Sequence, residues 1–225
     1  MNKMFVSPWL MVSPEGPVTC ALDKPGLIHM RQGDADAACG PYALMMGLIT
    51  LGALEREHIA YMGDWDGRSR EGRFRNALRE HGALVSRGTT TKDLIGLAGH
   101  FRGEGILPEL INGNKKEIVE AVQNSIESDA VVLICVSWSK LEGHWLMVVG
   151  HQGYEDHGVY QPTHLLCLDP LSEVPKASLW NAVIAVYDDE GKAVRGGTYS
   201  CDHWGMDGQV SPCKLDQLLT LCLES

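Results

Sequence analysis

No stretch of this sequence reaches the roughly 18 continuous apolar residues of a membrane-spanning helix, so no membrane role is expected. Positive charge is also in short supply: 19 Lys and Arg stand against 29 Asp and Glu, a formal net charge of −10. Such a chain repels phosphate backbones, which argues against nucleic-acid partners and against docking on an anionic membrane. Its one positive cluster, Arg68, Arg70, Arg73, Arg75 and Arg79, is interleaved with Glu71 and Glu80 and reads as a solvated helix face. Repeated short cysteine spacings are missing too. The seven cysteines are odd in number and scattered through a chain too large to need covalent staples, which points to a reducing compartment. The apolar start from Met4 to Val12 is interrupted by Pro8 and followed by no small-residue cleavage site, so no signal peptide is expected. Together these absences suggest a cytoplasmic protein, with delivery by a leaderless secretion route leaving no mark in the sequence. There is no internal repeat, low-complexity tract or clear linker.

What is there is the composition of a folded chain: 225 residues, 44% hydrophobic and 21% charged, enough for one sizeable core. Residues 1–30 are rich in Pro and Gly and read as an extended lead-in with one short strand, leaving 31–225 as a single domain. From Cys39 to about Leu51 the apolar residues Leu44, Met45, Leu48, Ile49 and Leu51 recur at helical spacing, with Gly52 as a stop. Further helices are expected over 72–81, 91–101 and 115–128. Beyond Asp129 the pattern changes to short runs of β-branched and aromatic residues, predicting strands over 130–138, 145–150, 164–168 and 182–187. Helices first and strands later specify an α+β class with an antiparallel sheet in the second half. The tail beyond Gly196 carries Cys201, His203, Cys213 and Cys222, and its residues Leu215, Leu218, Leu219 and Leu221 have helical spacing.

The chemistry centres on Cys39, placed where the first helix begins. Unpaired N–H groups and the positive end of the helix dipole favour thiolate over thiol there. Pro41 is tolerated because first-turn N–H groups have no partner within the helix, and Gly40 would let a substrate carbonyl approach the backbone. Gln32, just upstream, offers a side-chain amide that could complete an oxyanion hole with the Cys39 N–H. A thiolate needs an imidazole to protonate its leaving group. Among nine histidines, His144 stands at the mouth of the apolar strand that runs to Gly150. Asp169 ends the later run Leu166-Cys167-Leu168 and could accept a hydrogen bond from that imidazole, fixing its tautomer. Each residue alone has an ordinary explanation: a buried thiol, a structural histidine, a turn before Pro170. Their order and element context together point to thiol chemistry.

A metal site is the competing class, since His144, His151, His157, His164, Cys167, Cys201 and His203 are all possible donors. Only Cys201 with His203 and His164 with Cys167 approach the paired spacing of structural zinc, so scattered surface and core residues are the favoured reading, with no metal and no cofactor expected.

The segments Gln32 with Cys39-Gly40-Pro41-Tyr42-Ala43-Leu44, Gly143-His144-Trp145 with Val148-Val149-Gly150, and Leu168-Asp169-Pro170-Leu171 resemble the papain-like cysteine peptidases. Within that group they are similar to the bacterial branch of bacteriocin leader-processing peptidases. The resemblance implies an oxyanion donor at Gln32, a nucleophile at Cys39, a base at His144 and its orienting acid at Asp169. Six residues separate Gln32 from Cys39, one more than is usual in that family, and Asp34 and Asp36 lie in the loop between them. The expected function is cleavage of a peptide or isopeptide bond in a peptide or protein substrate through a thioester. Deamidation or acyl transfer on a protein target by the same residues is the alternative, and a non-catalytic or zinc-binding interaction module is the third reading. Oligomeric state has no signature in the sequence.

Overall fold

The computed structural model describes residues 1–23, 25–33, 37–60, 66–80, 88–140 and 142–224. Helix α1, Cys39–Thr50, buries eleven of its twelve residues, all but Tyr42. A helix apolar on every side can only be a central one. It stops where Gly52 adopts a left-handed φ of 70°, a conformation that glycine reaches without a Cβ penalty. Among the described residues the helices α2 (Glu57–Ala60), α3 (Arg70–Glu80), α4 (Thr91–Ala98) and α5 (Lys115–Glu127) follow. The last two open on capping boxes, Thr90 with Asp93 and Asn114 with Glu117, which satisfy the first N–H groups of each helix. The helix expected over 91–101 tightens after Ala98 into a 3₁₀ turn, Gly99–Glu104. In the arginine cluster, Arg70 bridges Glu71 and Glu104 and lies over the Phe101 ring.

The second half closes on itself. Strands β6 (Val131–Ser137), β7 (Gly143–Asp156), β8 (Val159–Leu168), β9 (Ala182–Ala185), β10 (Cys201–Gly205) and β11 (Val210–Leu223) are ordered β7-β6-β11-β10-β9-β8, and β8 pairs back onto β7. Every pairing is antiparallel, making a six-stranded barrel. The α+β class therefore stands, with the sheet closed into a barrel. One layer of core residues, including Leu133, Trp145, Met147, Leu166 and Leu219, packs against α1; a second, including Ile134, Leu146, Leu165 and Leu218, packs with α5.

Three expectations are corrected. Where one short strand was expected in residues 1–30, the described part carries four: β1 (Asn2–Val6) pairs with β7, while β2 (Leu10–Ser13), β3 (Gly16–Thr19) and β4 (Gly26–Leu27) form a small sheet of their own. The first half also contributes β5 (Ile106–Asn112), which pairs with β11. Pro108 fits there because β5 bonds to one neighbour only, leaving an edge where no N–H is needed. The leucine-rich tail is strand β11, not a helix. A register shift between Leu215 and Gln217 puts Leu215 and Leu218 in the α5 layer and Leu219 and Leu221 in the α1 layer. A bulge in a strand covered on both faces thus reproduces the spacing of a helix.

Candidate functional site

Cys39 is the first residue of α1. Its N-cap, Ala38, supplies no side-chain hydrogen bond, and the first turn carries no acidic residue, so nothing on the helix itself neutralises the positive end that the thiol faces. Gly40 has a packing role that the sequence reading missed. A Cβ there would come within 3.1–3.2 Å of Thr89, Leu94 and the Trp145 ring, so any larger residue would have to push these side chains back by a few tenths of an ångström. His144, opposite Val136 in the β6–β7 ladder, stands at the mouth of β7, and Asp169 directly follows β8, which pairs with the same strand.

These placements bring three side chains together. His144 Nε2 lies 2.7 Å from Asp169 Oδ1, with both residues buried. The Cys39 thiol hydrogen-bonds to the His144 ring and to the backbone of Trp145 and Gly40. With Nε2 committed to Asp169, Nδ1 is the ring nitrogen left for the thiol. Burial opposes ionisation of Cys39, yet the hydrogen bond and charge of His144 outweigh it and bring the thiol below its ordinary value. Burial likewise opposes protonation of His144, but Asp169 and Cys39 overcome it and raise the imidazole to about 9. For Asp169, burial is outweighed by His144, His203 and the Leu171 N–H, and the carboxyl is held far below the usual carboxylate range. All three shifts favour a thiolate–imidazolium pair backed by a carboxylate.

Cys135 is an internal control. It lines the same cleft as Cys39, but among the described residues its thiol has no imidazole partner, and burial pushes it up to about 12. The cleft, about 500 Å³, is walled by Gln32, Cys39, Trp138, Glu142, His144 and Trp145, among others. Gln32 is fixed there by its own N–H, which donates to the Pro170 carbonyl at 2.9 Å, so it is tied to the turn that carries Asp169. Asp34 and Asp36 lie outside the described residues.

The turn at Asp169 is locked by residues the sequence reading did not single out. The Asp169 N–H donates to Asn181 Oδ1 at 2.6 Å, and Asn181 Nδ2 donates to the carbonyls of Asp169 and Glu173, each at 3.0 Å. Buried His29 Nε2 also bonds to the Asp169 carbonyl, at 3.0 Å. Asn181→Ala strips several buried backbone groups of their partner, and the expected cost is about 2–3 kcal/mol. A fall in the urea midpoint at constant slope would measure it; an unchanged midpoint would mean that these bonds do not lock the turn.

Two more aromatic rings complete the site. Trp138 stacks on His144, with centroids 5.8 Å apart and planes at 27°, and meets His203 edge-on at the same separation. Neither residue carried a local signal for this site, because each reaches it only through closure of the barrel. The other donors weighed for a metal are dispersed: His151 bonds Tyr160, His164 packs on Trp204, and His157 is exposed. Among the described residues no group of three or more His, Cys, Asp or Glu is placed to hold a metal ion. No described helix is long and apolar enough to cross a membrane.

No protein-family model matches the chain, and no curated protein matches it in sequence. Among solved structures it is similar to the crystal structure of UfSP from C. elegans, at 12% identity and a TM-score of 0.46, over 100% of this chain and 35% of that one. The chain thus spans about a third of that neighbour's length.

Proposed function

We propose that this chain is a papain-like cysteine peptidase that hydrolyses a peptide or isopeptide bond through a thioester on Cys39. The observation that carries the reading is the placement of one imidazole, His144, in hydrogen bonds to both a helix-start thiol and a buried carboxylate, on the wall of an open cleft. In the first step the Cys39 thiolate attacks the substrate carbonyl carbon. The Cys39 N–H and the Gln32 amide stabilise the resulting oxyanion. As the tetrahedral intermediate collapses, the imidazolium of His144 gives its Nδ1 proton to the departing amine, and a thioester remains. Neutral His144 then takes a proton from water, which attacks the thioester and releases the acid and the free thiolate. Asp169 stays ionised throughout and holds the ring by Nε2.

Deamidation and acyl transfer share the first half of this route, so the acceptor must be identified from products. A cell lysate treated with wild type and with Cys39→Ala, then compared by N-terminal peptide mass spectrometry, is expected to show new peptide termini only with wild type. Mass changes on glutamine side chains or amine adducts, with no new termini, would replace hydrolysis by deamidation or transfer.

A further inference from the structure

We infer that His203 is a positioning residue of this site, holding the Asp169 carboxylate by its second oxygen so that the first can orient His144; the inference rests on the peptidase-type reading above. The two oxygens of Asp169 are served differently. Oδ1 accepts from His144 Nε2 and from the Leu171 N–H, each at 2.7 Å. Oδ2 has the ring of His203, whose Nε2 lies 3.3 Å away. That distance is within ion-pair range, though the atoms are not aligned as a hydrogen bond, and His203 Nε2 is buried with no other partner among the described residues. A buried carboxylate with one oxygen unserved is costly and free to turn about its Cβ–Cγ bond. Such a turn would carry Oδ1 away from His144.

The surroundings fix His203 for this task. It sits mid-strand in β10, opposite Ser211 of β11 and Ile184 of β9, so its backbone is held on both sides. Trp138 bridges the two imidazoles, stacked on one and edge-on to the other, restraining both rings. An apolar side chain would fill the same space without placing a buried ring nitrogen against the carboxylate. In the sequence His203 stands out only as a possible metal donor beside Cys201; barrel closure is what brings β10 to the end of β8.

The arrangement has a consequence for proton affinity. Burial disfavours the proton on His144 and the Asp169 hydrogen bond restores it, so that proton depends on how the carboxylate is aimed. Among the described residues, Asp169 after β8 meets the His203 ring, Cys213 of β11 bonds to its backbone, and His144 of β7 lies across Trp138; Cys201 and Asp202 flank it in β10, with Asp202 paired to Arg195, and β9 presents apolar Ile184. Removing the His203 ring lets the carboxylate turn Oδ1 away from His144, so the His144 midpoint falls. Cys39 would be alkylated more slowly at the same time, because the ring is less firmly aimed.

The test uses the full chain with ¹⁵N-labelled histidine. Ring titrations by NMR are compared with the pH-dependent rate of Cys39 alkylation by iodoacetamide for wild type, His203→Phe, His203→Leu and His203→Gln. The two apolar variants are expected to lower the His144 midpoint by about half a unit or more and to slow alkylation several-fold, while glutamine, which keeps a donor, returns both toward wild type. In wild type itself the His203 ring should carry its proton on Nε2. A bare Nε2 there, or a His144 midpoint that does not fall in a folded apolar variant, overturns the inference. If wild-type Cys39 is not alkylated preferentially, the nucleophile assignment fails instead, a result that the ring titrations leave distinct.

Discussion

Cys39→Ala is expected to lower turnover by roughly four orders of magnitude or more, a barrier increase of about 5 kcal/mol. The loss is large because every covalent step passes through the Cys39 sulfur, and the cleft holds no substitute. Cys135 is the other thiol there, and with its proton held to about 12 it is almost wholly un-ionised near neutrality. Cys39→Ser separates thiolate chemistry from simple positioning. A serine hydroxyl does not ionise at this helix start, so that variant should be nearly as inactive as alanine. Equal activity in Cys39→Ser would exclude a thiolate mechanism. Circular dichroism should be unchanged in both, since the substitutions remove little volume from α1.

His144→Ala is expected to cost roughly 10³-fold in turnover, within the range for loss of a positioned acid–base group. Its pH signature is more specific than its size. In wild type the active form has Cys39 deprotonated and His144 protonated. Activity should therefore rise as the thiol loses its proton and fall as the imidazolium loses its own, with the falling limb near pH 9. Without His144, burial still opposes ionisation of Cys39 and the main influences that lowered its pKa are gone. The midpoint for alkylation of Cys39 in His144→Ala should then move above the ordinary thiol value of 9.0. Asp169→Ala should fall between this variant and wild type, since the ring remains but loses its orientation. A His144→Ala protein with an unmoved alkylation midpoint would mean that the imidazole does not control the thiol.

Much of this arrangement could be read in the chain because the relevant signals are local. The helical spacing behind Cys39 marks α1, and the apolar runs beside His144 and Asp169 mark the strands that carry them. The two strands are joined by a short turn and pair with one another, so nearness of His144 and Asp169 follows from a single antiparallel pairing. What stayed hidden depends on longer range. Strand β11 imitates a helix because one bulge shifts its leucines between two buried faces. Strand β1 is masked by the Pro- and Gly-rich segment around it, and β5 contains a proline that only its edge position permits. His203 and Trp138 meet at Asp169 only because six strands close into a barrel, and no spacing in the sequence encodes that closure. Gly40 suggested room for a substrate, whereas its neighbours show a close contact between α1, α4 and β7.

The most direct measurement is selective alkylation of the full chain with limiting iodoacetamide near neutral pH, followed by peptide mapping of all seven cysteines. Access and ionisation make opposite predictions here. Cys20 is exposed, whereas Cys39 is only 7% exposed, so a reagent governed by access alone would modify Cys20 first. With His144 holding Cys39 as a thiolate, Cys39 should be modified first despite its burial, and prior treatment with an electrophilic peptide should block it. Labelling of Cys20 or any other cysteine ahead of Cys39 would contradict the account.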